Sequence, residues 1–250
     1  MGCSDMRPIG FSTGAVAYSH FQAALDLLAQ TDATAVELSA LRPAELKPLA
    51  EAAPTLQLDR YSHVSVHLPS SFNPDFEEEI LSLAAQFPAQ WLLVTHPDVI
   101  RKWDLWRRLG ERICIENMDK RKPVGQSRRD LLAIFRQLPD ATLCFDIGHA
   151  HQVDPTMGEA ILILEEFTGR LRELHISEVN SESKHDLISL EAERSFEVVA
   201  QLIPKNVPVI LESRVAAPDE QLSDIVFKRI EREIRVVRSL LNASVQVAAD

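Results

Sequence analysis

The chain has 250 residues, of which 46% are hydrophobic and 25% charged, and its formal net charge at pH 7 is −11. This composition can bury one sizeable core, and no stretch approaches the roughly 18 uninterrupted apolar residues of a membrane span, which excludes membrane-spanning and intrinsically disordered proteins. The negative charge argues against a general nucleic-acid binder, because such binding depends on Lys and Arg at phosphates.

The cysteines and the first residues indicate the compartment. The three cysteines are few and widely separated, which fits a reducing cytoplasm better than a disulfide framework. The N-terminal segment has no apolar run ahead of a cleavage site, so it does not read as a secretory signal. We therefore expect a cytoplasmic protein without a membrane partner.

Short apolar, β-branched runs alternate along the chain with longer amphipathic stretches. The former predict strands, and the latter, with apolar residues at i, i+3, i+4 and i+7, predict helices. The predicted strands are Ile9–Ser12, Ala35–Leu38, Val64–Leu68, Trp91–Thr95, Ile113–Glu116, Thr142–Asp146, Leu171–Ile176 and Val207–Leu211. The predicted helices cover 21–28, 43–52, a segment that opens at 73–77, a weaker 100–109, 127–138, 157–167, 189–202 and 219–241.

Eight strands, each followed by a helix, in about 250 residues are the size and rhythm of a (β/α)8 barrel. A doubly wound open sheet is the alternative, but no glycine-rich phosphate loop follows the first strand, and the chain has only 8 glycines. The sequence predicts an α/β protein, a single-domain (β/α)8 TIM barrel over residues 1–250, with about 242–250 as a frayed C-terminal tail.

Seven of the eight predicted strands end in a carboxylate or an imidazole. These residues are Glu37, His67, His96, Glu116, Asp146 (with His149 just beyond it), His175 and Glu212. The C-terminal strand ends of a TIM barrel form its active site, so these side chains should converge. Each His alone also fits a hydrogen-bonded structural role, and Glu37 equally fits an ion pair at the barrel mouth.

Four of these residues, Glu116, Asp146, His175 and Glu212, come from adjacent strands. Buried carboxylates without a cation repel one another and lose their hydration. A divalent cation removes that penalty, and carboxylate oxygens and imidazole nitrogens are its natural ligands. The four residues therefore predict a divalent metal site, and they leave open whether the metal is Mn, Mg, Co or Zn.

Six strand-end motifs follow one another in barrel order. They are Val66-His67-Leu68-Pro69, Thr95-His96-Pro97, Ile115-Glu116-Asn117, Phe145-Asp146-Ile147-Gly148-His149-Ala150, Leu174-His175-Ile176 and Leu211-Glu212. Together they resemble the xylose isomerase-like TIM barrels over nearly the whole chain, from Ile9 to about Leu241. That superfamily includes sugar isomerases and epimerases, myo-inositol catabolic enzymes, 3-dehydroshikimate dehydratases and abasic-site nucleases of the endonuclease IV type.

The isomerase and epimerase branch of that superfamily uses a Glu, Asp, His, Glu metal quartet, which falls on Glu116, Asp146, His175 and Glu212. Its Asp-x-x-His motif falls on Asp146 and His149, where the His touches substrate. The resemblance implies a metal-dependent isomerase, epimerase or related lyase for a sugar-derived hydroxy-carbonyl substrate. The metal would stabilise the enediolate formed on proton loss, with Glu116 and Glu212 as candidate acid–base groups.

The endonuclease IV branch is the alternative, and it implies a zinc phosphodiesterase that acts on abasic DNA. That branch binds three zinc ions, and the positions of its additional ligands match His67, His96, His149 and His185. Another alternative is a metal-binding barrel that has lost its activity. One Mn or Mg ion per chain would favour the isomerase, and two or three zinc ions would favour the nuclease.

One ligand of the endonuclease branch is replaced. Its Asp-Arg-His stretch reads Ser183-Lys184-His185 here, so a serine stands in place of a carboxylate ligand. A complete three-zinc site would need Asp186 or Glu182 as the substitute.

Cations cluster in one part of this acidic chain. Residues 101–130 hold ten Lys or Arg against five Asp or Glu, which leaves −16 for the other residues. Lys120, Arg121 and Lys122 lie in the loop 117–129 after the fifth strand, at the expected mouth. We predict that they bind an anionic group of the substrate, such as a sugar phosphate, although a solvated surface gives the same pattern. Glu37, His67 and His96 complete the predicted substrate contacts, and the oligomeric state stays open.

Overall fold

The structure is a computed structural model that describes residues 6–18, 20–217, 220 and 223–243. The strands of this described part are β1 (Ile9–Ser12), β2 (Ala35–Ser39), β3 (His63–His67), β4 (Leu92–Thr95), β5 (Ile113–Glu116), β6 (Thr142–Asp146), β7 (Leu171–Ile176), β8 (Glu178–Val179), β9 (His185–Asp186) and β10 (Val209–Leu211). All except β8 and β9 are parallel and close into one barrel, in which β10 pairs with both β7 and β1.

Helices follow the strands around this barrel. They are α1 (Thr13–Ala17), α2 (Phe21–Leu28), α3 (Pro43–Ala52), α4 (Glu77–Ala84), α5 (Trp103–Trp106), α6 (Arg128–Gln137), α7 (Ile147–Val153), α8 (Gly158–Phe167), α9 (Leu190–Ala200) and α10 (Asp224–Ala243). The fold class expected from the sequence, a (β/α)8 TIM barrel, is confirmed. Within the described residues, no helix is both long and apolar enough to cross a membrane.

The predicted boundaries need small corrections. The eighth barrel strand begins at Val209 rather than Val207, because Pro208 has no N–H to donate and the Val207 N–H closes a turn on the Pro204 carbonyl. The predicted helix 100–109 shrinks to α5, and a 3₁₀ segment follows it at Arg107–Arg112.

The last helix is also displaced from its predicted bounds. Its predicted start at 219 lies outside the described residues, and α10 begins at Asp224. Residues 242 and 243, assigned to a frayed tail, belong to α10 instead, and the rest of that predicted tail lies outside the described residues.

The periodicity missed the elements nearest the mouth, namely α1, α7 and the antiparallel hairpin β8–β9. α7 begins immediately after β6, where the Asp146 carboxylate accepts a 2.7 Å hydrogen bond from the His149 backbone N–H. This is a standard N-cap, so one residue ends the strand and begins the helix. Such an abrupt change leaves no separate capping signal in the sequence.

Gly148, in the first turn of α7, allows that helix to approach the chain after β7. A Cβ atom at this position would lie 2.3 Å from the Ser177 carbonyl oxygen and 2.8 Å from Val179 Cγ2. We expect Gly148→Ala to lower the free energy of unfolding by about 1–3 kcal/mol, as overpacking commonly does. Urea denaturation should show this loss, whereas Gly169→Ala, where a Cβ meets nothing within 4 Å, is the matched control. Equal stability of the two variants would contradict the close approach.

Most buried apolar side chains form one continuous core, which includes Trp106, Phe145 and Phe196. Val94, Cys114 and Cys144 form a small separate cluster. The two cysteines precede Glu116 and Asp146 by two residues, so strand alternation turns them to the same face, one layer lower in the barrel. Burial raises the pKa of the Cys144 thiol well above its usual value, which keeps it neutral.

Candidate active site

A cavity of about 310 Å³ opens at the C-terminal mouth of the barrel. The predicted site residues in its wall are His67, His96, Glu116, Arg121, His149, His185 and Glu212. Asp146 and His175 are fully buried next to this wall, in the same group of ligand-type atoms as Glu116 and Glu212. The polar residues at the strand ends therefore converge, because residues at equivalent positions of neighbouring barrel strands lie close together.

Glu116, at the end of β5, is the centre of the cluster. One carboxylate oxygen lies 3.2 Å from His67 Nε2 and 3.1 Å from His96 Nε2. The other lies 3.4 Å from Nδ1 of both His149 and His175. Despite burial, the neighbouring imidazoles of His175, His67 and His96 hold the pKa of Glu116 well below its usual value. Glu116 is therefore an anion surrounded by imidazoles.

The two other carboxylates of the quartet lack such compensation. Burial, together with the negative charge of Glu116, raises the pKa of Asp146 and of Glu212 to about 8 each. Asp146 Oδ2 and His175 Nδ1 are buried and make no hydrogen bond. Both atoms are of types that bind metals, and neither has a hydrogen-bond partner among the described residues.

This donor set fits a divalent cation. One ligand-type atom from each of Glu116, Asp146, His175 and Glu212 lies within 4.8 Å of the other three. Three carboxylates and one imidazole suit such a cation, and the unpaired Asp146 and His175 atoms are free to bind it. Metal binding by these residues remains a prediction of the sequence, with which the geometry is compatible.

Three more ligand-type groups share residues with the quartet. They are His67–His96–Glu116, Asp146–His149–His185 and Cys144–Glu173–His175. His67 Nδ1 lies 2.8 Å from the Leu68 carbonyl, which can only accept, so this nitrogen carries hydrogen and Nε2 faces Glu116. Although burial opposes the charged form, the hydrogen bond to Glu116 and the neighbouring carboxylates raise the pKa of His67 to about 9.

The loop that carries Ser183 lacks the carboxylate of the endonuclease pattern. The Ser183 hydroxyl accepts a 2.7 Å hydrogen bond from Gln152. The proposed substitutes are engaged elsewhere, since Asp186 accepts from Asn180 at 2.8 Å and Glu182 pairs with Lys184 at 2.6 Å. Neither joins the ligand-type groups of the described residues, so the expectation of a substitute carboxylate is not supported.

Two cations of the predicted basic loop are held in ion pairs. Arg121 lines the cavity but forms a 2.8 Å pair with Asp119, and Lys122 pairs with Asp98 at 2.9 Å. Lys120 is exposed and does not line the cavity. Cavity cations that the sequence analysis did not single out are Lys184 and Arg214.

Asn117 is a site residue that the strand-end reasoning passed over. Its side chain donates to the Asp146 carbonyl at 2.8 Å and accepts from the Asp146 N–H at 2.7 Å. Its own carbonyl lies 3.0 Å from His149 Nδ1, which therefore carries hydrogen. Asn117 thus fixes the end of β6 and the His149 ring against β5. The available signal was its position directly after Glu116.

Glu37, predicted to contact the substrate, lies deeper in the barrel than the cavity wall. It is fully buried and does not line the cavity, and its Oε2 is 3.2 Å from His175 Nε2. Glu173, also fully buried, bonds His175 at 3.1 Å and contacts His63 closely. Although burial favours its neutral form, hydrogen bonds from these two imidazoles lower the pKa of Glu173 to about 2. A second polar layer therefore lies inside the barrel.

The chain matches no known family model and no curated protein. It does match solved structures, among them several named for a xylose isomerase domain or a xylose isomerase-like TIM barrel. A xylose isomerase domain protein from Alicyclobacillus acidocaldarius has a TM-score of 0.67 at 17% identity, covering 96% of this chain and 99% of that one. An L-ribulose 3-epimerase has a TM-score of 0.61 at 14% identity, covering 97% of each chain.

A third similar structure, a xylose isomerase-like TIM barrel protein from Mycobacterium smegmatis, was determined in complex with magnesium. Its TM-score is 0.54 at 12% identity, covering 96% of this chain and all (100%) of that one. At these identities the likeness shows the fold. The chain has the fold of the xylose isomerase-like TIM barrels, as its strand-end motifs indicated.

Proposed function

We propose that this protein is a divalent-metal-dependent enzyme of the sugar isomerase or epimerase type. The observation that carries the proposal is the quartet Glu116, Asp146, His175 and Glu212, whose ligand-type atoms lie within 4.8 Å of one another beside an open cavity. The solved structures with this fold, which include an L-ribulose 3-epimerase, support a small sugar-like substrate.

The quartet would hold the cation. Bound there, it would supply Lewis-acid stabilisation of the negative charge that a hydroxy-carbonyl substrate develops when it loses a proton from carbon. The chain itself must then move that proton, and Glu116 and Glu212 are the carboxylates of the quartet that line the cavity. Glu116 is held by four imidazoles, whereas the Glu212 side chain is 13% exposed and at least 3.5 Å from its two His neighbours. Glu212 is therefore the better candidate base.

His149 would contact the substrate from the same wall. Because its Nδ1 hydrogen points to the Asn117 carbonyl, its Nε2 is an acceptor in the neutral ring. Arg214 adds positive charge to the cavity wall, where Arg121 and Lys184 are paired with Asp119 and Glu182, and this suits a substrate that carries a phosphate or carboxylate. The proposed substrate is thus a sugar that carries a phosphate group.

Phosphodiester cleavage is the second candidate. The groups His67–His96–Glu116 and Asp146–His149–His185 favour it, because a single-metal isomerase does not need these additional imidazoles. Ser183 weighs against it, since the site lacks the carboxylate that a three-zinc pattern requires. We therefore propose the isomerase function ahead of phosphodiester cleavage.

The two candidates differ in metal content and in reaction. We expect about one divalent ion per chain by elemental analysis, and chelator-sensitive deuterium exchange from solvent into a member of a ketose and aldose panel, phosphorylated sugars included. Glu182→Gln, which alters a carboxylate outside the ligand-type groups, is a control that should exchange normally. Two or three zinc ions, no exchange and cleavage of abasic DNA would overturn the proposal in favour of the nuclease.

A further inference from the structure

A chain of three side chains crosses the barrel interior from its N-terminal end to the metal quartet. His63 is the first residue of β3, Glu173 lies in the middle of β7, and His175 is two residues further along β7. One Glu173 oxygen contacts His63 Nε2, and the other lies 3.1 Å from His175 Nε2. We propose that Glu173, held in place by His63, is the positioning residue that sets the ring orientation and tautomer of His175 for metal binding.

This inference rests on the proposed metal site, to which it adds a residue that contacts neither cavity nor substrate. His175 can bind a metal through Nδ1 only as the neutral ring, in which Nε2 keeps its hydrogen and donates it to the Glu173 oxygen 3.1 Å away. In the neutral ring this leaves the lone pair on Nδ1. That atom lies 3.4 Å from a Glu116 oxygen and 3.6 Å from a Glu212 oxygen, and it makes no hydrogen bond. The hydrogen bond at one end of the ring thus prepares the other end as a ligand.

Glu37 shows that the contact with Glu173 is specific. Its Oε2 lies 3.2 Å from the same His175 nitrogen, almost as close as the Glu173 oxygen. Neither Glu37 oxygen makes a hydrogen bond, whereas the geometry of Glu173 satisfies one to each imidazole. Distance alone would give the two carboxylates the same role, and direction assigns it to Glu173.

Burial makes this arrangement rigid. Glu173 and His175 have no exposed surface, and His63 is partly exposed at the opposite end of the barrel from the cavity. Adjacent Arg172 is exposed, as strand alternation requires when Glu173 faces inward. A buried carboxylate whose two oxygens each accept a hydrogen bond has few other rotamers. It can therefore hold the His175 ring in one orientation.

The test measures metal affinity in the full-length protein without substrate, by calorimetric titration of metal-free protein with Mn²⁺. We expect Glu173→Leu to weaken binding about 10- to 100-fold, the usual cost of losing such a partner to a metal-ligating His. Glu173→Gln keeps an oxygen that accepts from Nε2, so we expect less than a tenfold loss. Glu37→Gln, at almost the same distance but without a hydrogen bond, should change the affinity least.

A spectroscopic readout separates positioning from general damage. In the zinc-loaded protein, ¹⁵N signals of labelled His175 should show hydrogen on Nε2 in wild type and in Glu173→Gln. If Glu173→Leu does not fold, the ¹⁵N signals still decide, because hydrogen on Nδ1 rather than Nε2 of His175 in the zinc-loaded wild-type protein would contradict the inference. Equal Mn²⁺ affinity in all folded variants, or the same loss in Glu173→Gln as in Glu173→Leu, would overturn the inference. Wild-type protein that binds no divalent metal would instead overturn the proposed function.

Discussion

Replacing Glu212 with Gln should leave the barrel folded, weaken its hold on a divalent metal and lower turnover by about 100-fold or more. Glu212 follows the last residue of β10, and its side chain is partly exposed to the cavity, so no core packing is lost. The change removes one ligand charge and the candidate base together. General acid–base groups alone contribute about 10²- to 10⁴-fold, so this is the largest effect on activity that we expect.

The measurement is solvent deuterium exchange into the active sugar, with metal content determined on the same sample. Circular dichroism and urea denaturation show whether the fold survives. The Glu182→Gln variant serves as the control, since that carboxylate pairs with Lys184 outside the quartet. Full exchange activity in Glu212→Gln would assign the proton transfer to another residue.

Metal-free protein should lose stability steeply as the pH rises from 6.5 to 8. Asp146 and Glu212 have pKa values raised to about 8 by burial and by the charge of Glu116, and His67 has one of about 9. The folded state therefore holds protons in this range that the unfolded chain has released. Folding stability falls with pH wherever the native state binds more protons, by about 1.4 kcal/mol per pH unit for each fully affected group.

A bound divalent cation should reverse this trend, because it takes the place of the protons on the carboxylates. At 100 times its dissociation constant a ligand adds about 2.7 kcal/mol to the free energy of unfolding. Urea denaturation at pH 6.5, 7.2 and 8, with chelator and with Mn²⁺, measures both effects. Glu212→Gln is a matched variant whose metal-free slope should be shallower. A metal-free protein with constant stability over this range would show that these carboxylates do not retain protons.

Much of this architecture could be predicted because most barrel strands are short apolar runs with a polar residue at or next to their C-terminal end. The runs around Val36, Ile115 and Phe145 gave the strand positions, and barrel geometry then brings their ends together whatever the loops do. Proline broke the pattern at one end, where Pro208 delays the start of β10. The prediction was therefore secure where backbone pairing decides the structure.

Side-chain partners in the loops could not be predicted in this way. Arg121 and Lys122 read as free cations in the sequence, but each pairs with an aspartate that only the fold brings near. Glu173 lies two residues before His175, so strand alternation turns both inward, but its contact with His63 depends on the fold. Such pairings depend on tertiary contacts between distant parts of the chain.

The two carboxylate oxygens of Asp146 have separate roles. Oδ1 begins α7 by accepting the His149 N–H, and Oδ2 is the unpaired atom offered to the metal. Folding alone would therefore keep aspartate or asparagine at this position, even in a descendant that had lost the reaction. When related barrels are compared, a residue here that can cap α7 is weak evidence for activity. Glu212 caps no helix, so a glutamate at its position is stronger evidence for activity.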